Sequence, residues 1–327
     1  MALSLFVVIG WFGHIITCYY LIRPINYISI RILLTVFPCI LLCYISCLNL
    51  PQFDTFAIVT VAFCWLTSIR LIGLTIFLSP NLLTFQSFLL KILWIYFPIL
   101  PLKSEKNVWP IKYYLVLIVF KLLINHWIYR WCLICQTKIN YEKILLFYIS
   151  IMTISFMYDL EIVLVRILTR GEYTLESFTN FPIFSLSLRE FWGQRYNRLI
   201  NRVLKESIFE PIRFKFSSQT VGALTTFLIS ALFHVHIAFV AFDDLSHLFP
   251  TFFFFFIHGL ACCVEANLKI QLSEYIGWFL THMFLLLTAP FLLEPFIKKG
   301  SPYLVVHPPP LFHIEWFPQL PLPNFCL

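Results

Sequence analysis

Charge is what this sequence has least of. Charged residues make up 12% of its 327 positions, about half the share of an ordinary soluble domain. So little charge excludes a water-soluble globule. Disorder is excluded too, because it needs low hydrophobicity and dense charge, whereas 60% of the residues are hydrophobic, 37 are Phe and the mean hydropathy is +0.85. The alternation of polar and apolar residues that marks a transmembrane β-barrel is also missing, which leaves helices as the way to cross a bilayer. The amino terminus lacks the basic region and small-residue cleavage site of a signal peptide, so its apolar run, which meets no charge before Arg23, reads as a retained span. Cys132-x-x-Cys135 has no second cysteine pair and no neighbouring His, so no metal site is expected. Cys326 stands one residue from the end, not at a prenylation position.

What is present is a series of apolar stretches of spanning length, at about 3–22, 32–50, 56–78, 82–100, 113–131, 144–168, 220–241, 251–268 and 275–293. They predict an all-α, polytopic membrane bundle of about eight or nine transmembrane helices. One domain is expected over 1–294. A Pro-rich tail follows at 295–327, where His307-Pro308-Pro309-Pro310 and Pro318, Pro321 and Pro323 rule out helix over the last thirty residues. Cys18, Cys39, Cys43, Cys47, Cys64, Cys262 and Cys263 lie inside the apolar stretches and read as small core residues.

The longest polar interval, 169–219, holds seven Lys or Arg against three Glu within 189–215, which is more than half of the net charge of +7. The positive-inside tendency puts this segment in the cytosol. Phe191, Trp192, Tyr196, Leu199, Ile200, Val203, Leu204 and Ile208 recur at three- and four-residue intervals, with Arg195, Arg198, Asn201, Arg202 and Lys205 largely between them. This is the pattern of an amphipathic helix, with Gly193 in its first turn and Pro211 at its end. Such a helix either lies among lipid headgroups or folds back to present polar groups to a reaction chamber.

His234 and His236 sit in a span with no charge from Thr220 to Phe242. Ionisable groups at that depth are costly and mark function or a satisfied packing role. At helical pitch the two are about 200° apart and cannot share one metal, so they have different jobs. Asp159, Glu161, Arg166 and Glu265 also fall in spans and read first as packing contacts between helices. His258 and Glu265, seven apart, share a face and could line the same chamber as His234. The run Phe252–Phe256 reads as lipid-facing filler.

Three motifs in order now stand out. Ser187-Leu188-Arg189-Glu190-Phe191-Trp192-Gly193-Gln194-Arg195-Tyr196-Asn197 resembles the Phe-Trp-Gly-Arg-Arg-Trp-Asn signature of the wax synthase family, a branch of the membrane-bound O-acyltransferases. Ser230-Ala231-Leu232-Phe233-His234 resembles its Ser-Gly-x-x-His motif, and Phe256-Ile257-His258-Gly259 with Val264-Glu265 resembles the helix that follows. The resemblance covers about 185–270. It implies that His234 is the catalytic histidine and Asn197 its partner. It also implies transfer of an acyl group from acyl-CoA, as co-substrate and with no other cofactor, to a long-chain alcohol, or in relatives to a sterol or terpenoid. Val235 and Ala231 depart from the family's usual acid and glycine.

The chemistry suits the residues. A neutral imidazole can take the proton of an alcohol as it attacks a thioester, a contribution of about 10² to 10⁴ in rate, and an amide can orient the carbonyl. Phe191, Trp192, Arg195, Arg198, His258 and Glu265 are the expected substrate contacts. Arg195, Arg198, Arg202 and Lys205 are candidates either for the phosphates of CoA or for lipid headgroups. The expected setting is the endoplasmic reticulum membrane, with acyl-CoA and a lipid alcohol as partners and no nucleic acid. Two readings from another class stay open: an ion-conducting transporter, in which Asp159, Glu161, Arg166 and His234 form a path, and a non-catalytic lipid binder.

Overall fold

The computed structural model describes residues 5–48, 50–52, 55–78, 83–104, 109–134, 155–268 and 272–306. Its helices in chain order are α1 (Leu5–Thr17), α2 (Ile28–Cys47), α3 (Thr55–Ile72), α4 (Phe85–Leu93), α5 (Ile111–Ile134), α6 (Phe156–Leu168), α7 (Arg198–Leu204), α8 (Glu210–Phe216), α9 (Gln219–Phe242), α10 (Leu248–Asn267) and α11 (Glu274–Val306). Five helical stretches are long and apolar enough to cross a membrane: Ile28–Cys47, Phe56–Phe77, Gln219–Phe242, Leu245–Asn267 and Glu274–Glu294. The protein is therefore a multi-pass, helical membrane protein.

The structure departs from the sequence reading in four places. The stretch 82–100 does not form a span: α4 is only nine residues long. Past it the chain turns at 94–96 and passes Pro98 into a short strand, β1 (Ile99–Pro101), which pairs antiparallel with β2 (Tyr173–Leu175). This two-stranded ladder is the one non-helical pairing among the described residues. Of the stretch 144–168, the part before Ser155 lies outside the described residues. The predicted amphipathic helix is interrupted at Tyr196 and Asn197: a single turn Leu188–Glu190 runs into a π-helical turn Phe191–Arg195 before the break, and α7, a second π-helical turn Lys205–Phe209 and α8 follow as one helical run. Pro211 does not end the helix: the chain stays helical from Arg198 through the π-helical turn before it to Phe216. Finally, α11 continues to Val306, nine residues into the segment expected to be extended, while His307 and the prolines after it lie outside the described residues, as does Cys135.

The chain divides into two compact units, Met1–Phe97 with Leu199–Leu268, and Pro98–Arg198 with Lys269–Leu327. In the first unit, α1, α2, α3 and α4 enclose a core of Ile15, Cys18, Ile22, Cys39, Leu71, Leu74, Phe88 and Ile92. A second core joins Leu66 and Ile69 of α3 to Val203 and Leu204 of α7 and to Ile208. The cysteines at 18, 39, 43, 64, 262 and 263 are buried free thiols. Their role is packing.

In the second unit, α5 and α6 pack through Tyr114, Ile162 and Val163, with Leu175 of β2 against them. Two polar contacts tie the same elements. Lys121 Nζ donates to Asp159 Oδ2 at 2.5 Å and to Ser155 Oγ at 2.9 Å. Arg166 donates to Thr174 Oγ1 at 2.9 Å and to the Trp109 carbonyl at 2.6 Å, with its guanidinium 4.9 Å from the Tyr114 ring centre. Asp159 and Arg166 thus serve as contacts between neighbouring elements, the first of the two roles open to them. Glu161 points outward, exposed.

Candidate active site

In the first unit the candidate residues stand on α9 and α10. Ser218 caps α9 by accepting the Val221 N–H. Asp243 turns the chain out of it with φ of +46°, and Asp244 accepts the Ser246 N–H to start the return. The two helices come close enough that a Cβ on Gly259 would sit 2.8 Å from the Phe227 Cβ. That approach requires glycine.

His234 Nδ1 lies 2.8 Å from the carbonyl oxygen of Ser230, one turn back on α9. A carbonyl can only accept, so Nδ1 carries the proton and Nε2 of the neutral ring keeps its lone pair. Among the described residues Nε2 makes no hydrogen bond. The ring stacks on Phe255 of α10, centres 4.0 Å apart and planes 26° apart, and meets Phe233 edge-on at 4.8 Å. These contacts fix its plane.

Phe255 was the residue the sequence misjudged. Phe254 and Phe255 are buried, whereas Phe252, Phe253 and Phe256 are only partly so. The inward face of α10 runs Thr251, Phe254, Phe255, His258, Gly259, Cys262 and Cys263. That three- and four-residue spacing was readable, but five consecutive phenylalanines mask it.

His258 repeats the His234 arrangement: it is fully buried, with Nδ1 2.8 Å from the Phe254 carbonyl. Glu265 is half-buried two turns further along α10. His236 faces elsewhere. The Trp65 indole N–H of α3 donates to His236 Nδ1 at 2.8 Å, and the two rings border an open apolar hollow of about 430 Å³ with Leu232, Val235, Phe239, Leu245 and Leu248. The two histidines do have different partners, as their 200° separation predicts.

The remaining candidates belong to the second unit and are built around the π-helical turn. Ser187 accepts the Glu190 N–H at 3.0 Å, and Glu190 Oε2 accepts the Leu186 N–H at 2.8 Å, so the segment opens with a reciprocal cap. Phe191 is buried, stacks on Tyr196 with centres 5.1 Å apart, and meets Trp192 edge-on at 5.1 Å. Asn197 follows with φ of +44°, a left-handed conformation that Asn tolerates better than most residues. Its neighbours hold it there: Asn180 N–H donates to the Arg195 carbonyl and Arg198 N–H to the Phe178 carbonyl, both at 2.8 Å.

Arg195 Nε donates to Glu190 Oε1 at 2.6 Å, and Arg198 donates to Glu176 Oε1 at 3.2 Å. In the first unit Glu206 accepts from Arg70 at 2.6 Å and from Arg202 at 3.0 Å. Arg70 also holds the Lys91 carbonyl, and Arg202 lies over the Trp94 ring. Burial pushes the Glu206 carboxyl up, but Arg70 and Arg202 together outweigh it and hold the group below its ordinary 4.5. No local pattern marks the Arg70–Glu206 pair, whose partners are 136 residues apart.

Residues 175–257, which include Asn197 and His234, match the membrane bound O-acyl transferase family. The chain is 28% identical over 170 residues to Acyl-CoA–sterol O-acyltransferase 1 of Arabidopsis thaliana, covering 47% of this chain and 48% of that protein. It is 30% identical to the Putative long-chain-alcohol O-fatty-acyltransferase 10 of the same plant, over 36% of each. It therefore spans about half or less of the length of these two relatives. With the Probable long-chain-alcohol O-fatty-acyltransferase 8, also of Arabidopsis thaliana, the match is 28% identical and covers 87% of this chain and 86% of the relative. The family match and that near full-length alignment support a likeness to the wax synthase group of the membrane bound O-acyl transferase family.

Proposed function

We propose that this protein is an acyl-CoA-dependent O-acyltransferase that esterifies a long-chain alcohol, with His234 as the general base. The observation that carries the reading is the tautomer of His234. With Nδ1–H spent on the Ser230 carbonyl, Nε2 is the atom left to accept a proton, on a half-buried ring packed against Phe255 and Phe233. In this reading Nε2 takes the proton of the acceptor hydroxyl while its oxygen forms a bond to the thioester carbonyl carbon. The tetrahedral intermediate then collapses, the C–S bond breaks, and the imidazolium returns the proton to the departing thiolate of CoA. Asn197 is assigned the orientation of the acyl carbonyl. Phe191, Trp192, Arg195, Arg198, His258 and Glu265 are assigned to substrate contact. The number of spans, on this reading, is eight, since 82–100 does not cross, and the membrane is that of the endoplasmic reticulum.

A sterol acceptor is the second reading, and the sterol acyltransferase among the relatives is what favours it. Membranes containing the chain, given palmitoyl-CoA with a fatty alcohol or a sterol, should release CoA and form the matching ester. His234→Ala should abolish both while the protein stays folded and inserted. Undiminished turnover in that variant would sink the assignment of the base. Equal esterification of sterol and alcohol would remove the preference for a wax product.

A further inference from the structure

The structure sorts six of the seven cations of 189–215 into two kinds. Arg195, Arg198 and Arg202 each donate to a carboxylate, and Lys205 lies 4.0 Å from Glu210. Arg213 and Lys215 of α8 have aromatic partners instead. The Arg213 guanidinium is 4.7 Å from the Phe214 ring centre and 5.7 Å from that of Phe209, and Lys215 Nζ is 5.9 Å from that of Phe216. Among the described residues neither cation has a carboxylate partner. The rings beneath them face outward, Phe214 at 71% exposure and Phe216 at 57%.

We propose that the end of α8, residues Arg213 to Phe216, is a binding surface for anionic phospholipid headgroups. Cation and ring alternate along these four residues, so at helical pitch they surround the helix end and leave no wholly polar or wholly apolar face. Water disfavours two exposed phenylalanines, and hydrocarbon disfavours two charges. The headgroup layer suits both, because rings enter the acyl boundary while cations meet phosphate. Position agrees: α8 is followed at once by Ser217, with φ of +49°, and by Ser218, the cap of the spanning helix α9. The soluble phosphates of CoA would use the cations but have no use for the flanking rings. Lipid is therefore the occupant.

The test uses the full chain in nanodiscs of phosphatidylcholine, with and without phosphatidylserine, read by native mass spectrometry for retained anionic lipid and by the thermal midpoint. Wild type should retain phosphatidylserine and melt higher in its presence, and salt should diminish both effects. Arg213→Gln with Lys215→Gln should weaken retention about thirtyfold, since each cation near an anionic surface contributes close to one decade or somewhat less. Arg213→Lys with Lys215→Arg keeps the charge and should retain lipid, as should Lys103→Gln, which removes an exposed cation elsewhere. Phe214→Ser with Phe216→Ser should lower retention but leave its salt dependence. Equal retention by wild type and the Gln double variant would overturn the proposal. So would a midpoint rise produced by free CoA in phosphatidylcholine discs and lost in the Gln double variant, which would assign these cations to a soluble phosphate.

Discussion

The indole N–H of Trp65 donates to His236 Nδ1 across 2.8 Å, so α3 and α9 share a polar contact within an apolar interface formed by Val61, Phe233 and Ile237. An indole can only donate, which leaves the proton of neutral His236 on Nε2. His234, two residues earlier, holds the opposite tautomer. One helix thus carries the ring proposed as the base and a ring used as a fastener. Trp65→Phe should cost about 0.6 kcal/mol, the average for a hydrogen bond between membrane helices. A double-mutant cycle with His236→Phe, read by thermal unfolding in detergent, should show positive coupling. Turnover should survive, because the contacts of His234 are untouched; its complete loss in folded Trp65→Phe protein would contradict the division of labour.

Gly73, which opens a π-helical turn Gly73–Phe77 after α3, meets Ser207 of the π-helical turn Lys205–Phe209, far away in sequence. A Cβ on Gly73 would lie 2.6 Å from the Ser207 Cβ and 2.7 Å from its Cα, and a backbone atom cannot step aside. Gly73→Ala should destabilise the protein by about 1–3 kcal/mol. Gly13, in α1, has nothing within 4 Å of its Cβ position. Gly13→Ala should therefore be neutral or gain up to about 1 kcal/mol through helix propensity. Unfolding midpoints of the two variants measured side by side would check this, and equal effects would mean that the Gly73 approach is not tight.

These contacts explain what the sequence could and could not disclose. The motifs around Asn197, His234 and His258 were legible because residues within one or two turns define them. The amphipathic pattern at 191–208 was also genuine, since Phe191, Val203, Leu204 and Ile208 are buried. Its continuity was not, because hydrophobic spacing does not register a left-handed residue at Asn197 or a π-helical turn around Gly193. Arg70–Glu206 and Trp65–His236 lay beyond reach for a different reason. Their partners are 136 and 171 residues apart, and nothing local in the chain records which helix becomes whose neighbour.

The Arg70–Glu206–Arg202 cluster has a signature in pH. The Glu206 carboxyl titrates below its ordinary 4.5 in the folded protein. Its ionised form is therefore favoured by folding, and the stabilisation is complete above that value and lost as pH falls through the lower folded value. Its side chain is 34% exposed, so solvent screens part of the effect. Glu206→Gln should lower the unfolding midpoint at neutral pH and flatten its decline on the acid side. Midpoints measured from pH 7 down to about pH 3 test the sign. A variant whose decline is as steep as that of wild type would mean that other carboxylates carry the acid response.

Asn197 offers the cleanest separation of backbone from side-chain chemistry. At φ of +44° an alanine would be strained, by an amount on the order of 1 kcal/mol, so Asn197→Ala alone would confuse a distorted turn with a missing amide. Glycine accepts this conformation freely. Asn197→Gly should keep the turn, including the bonds from Asn180 to Arg195 and from Arg198 to Phe178, and remove only the amide. If the amide orients the acyl carbonyl, ester formation should fall about 10²- to 10³-fold in the glycine variant, the usual cost of losing one such donor, with an unfolding midpoint near that of wild type. Asn197→Ala should lose as much activity and some stability as well. Should Asn197→Gly turn over like wild type while Asn197→Ala fails, the contribution of this position is its left-handed backbone and not its side chain, and the carbonyl-orienting role passes to another donor.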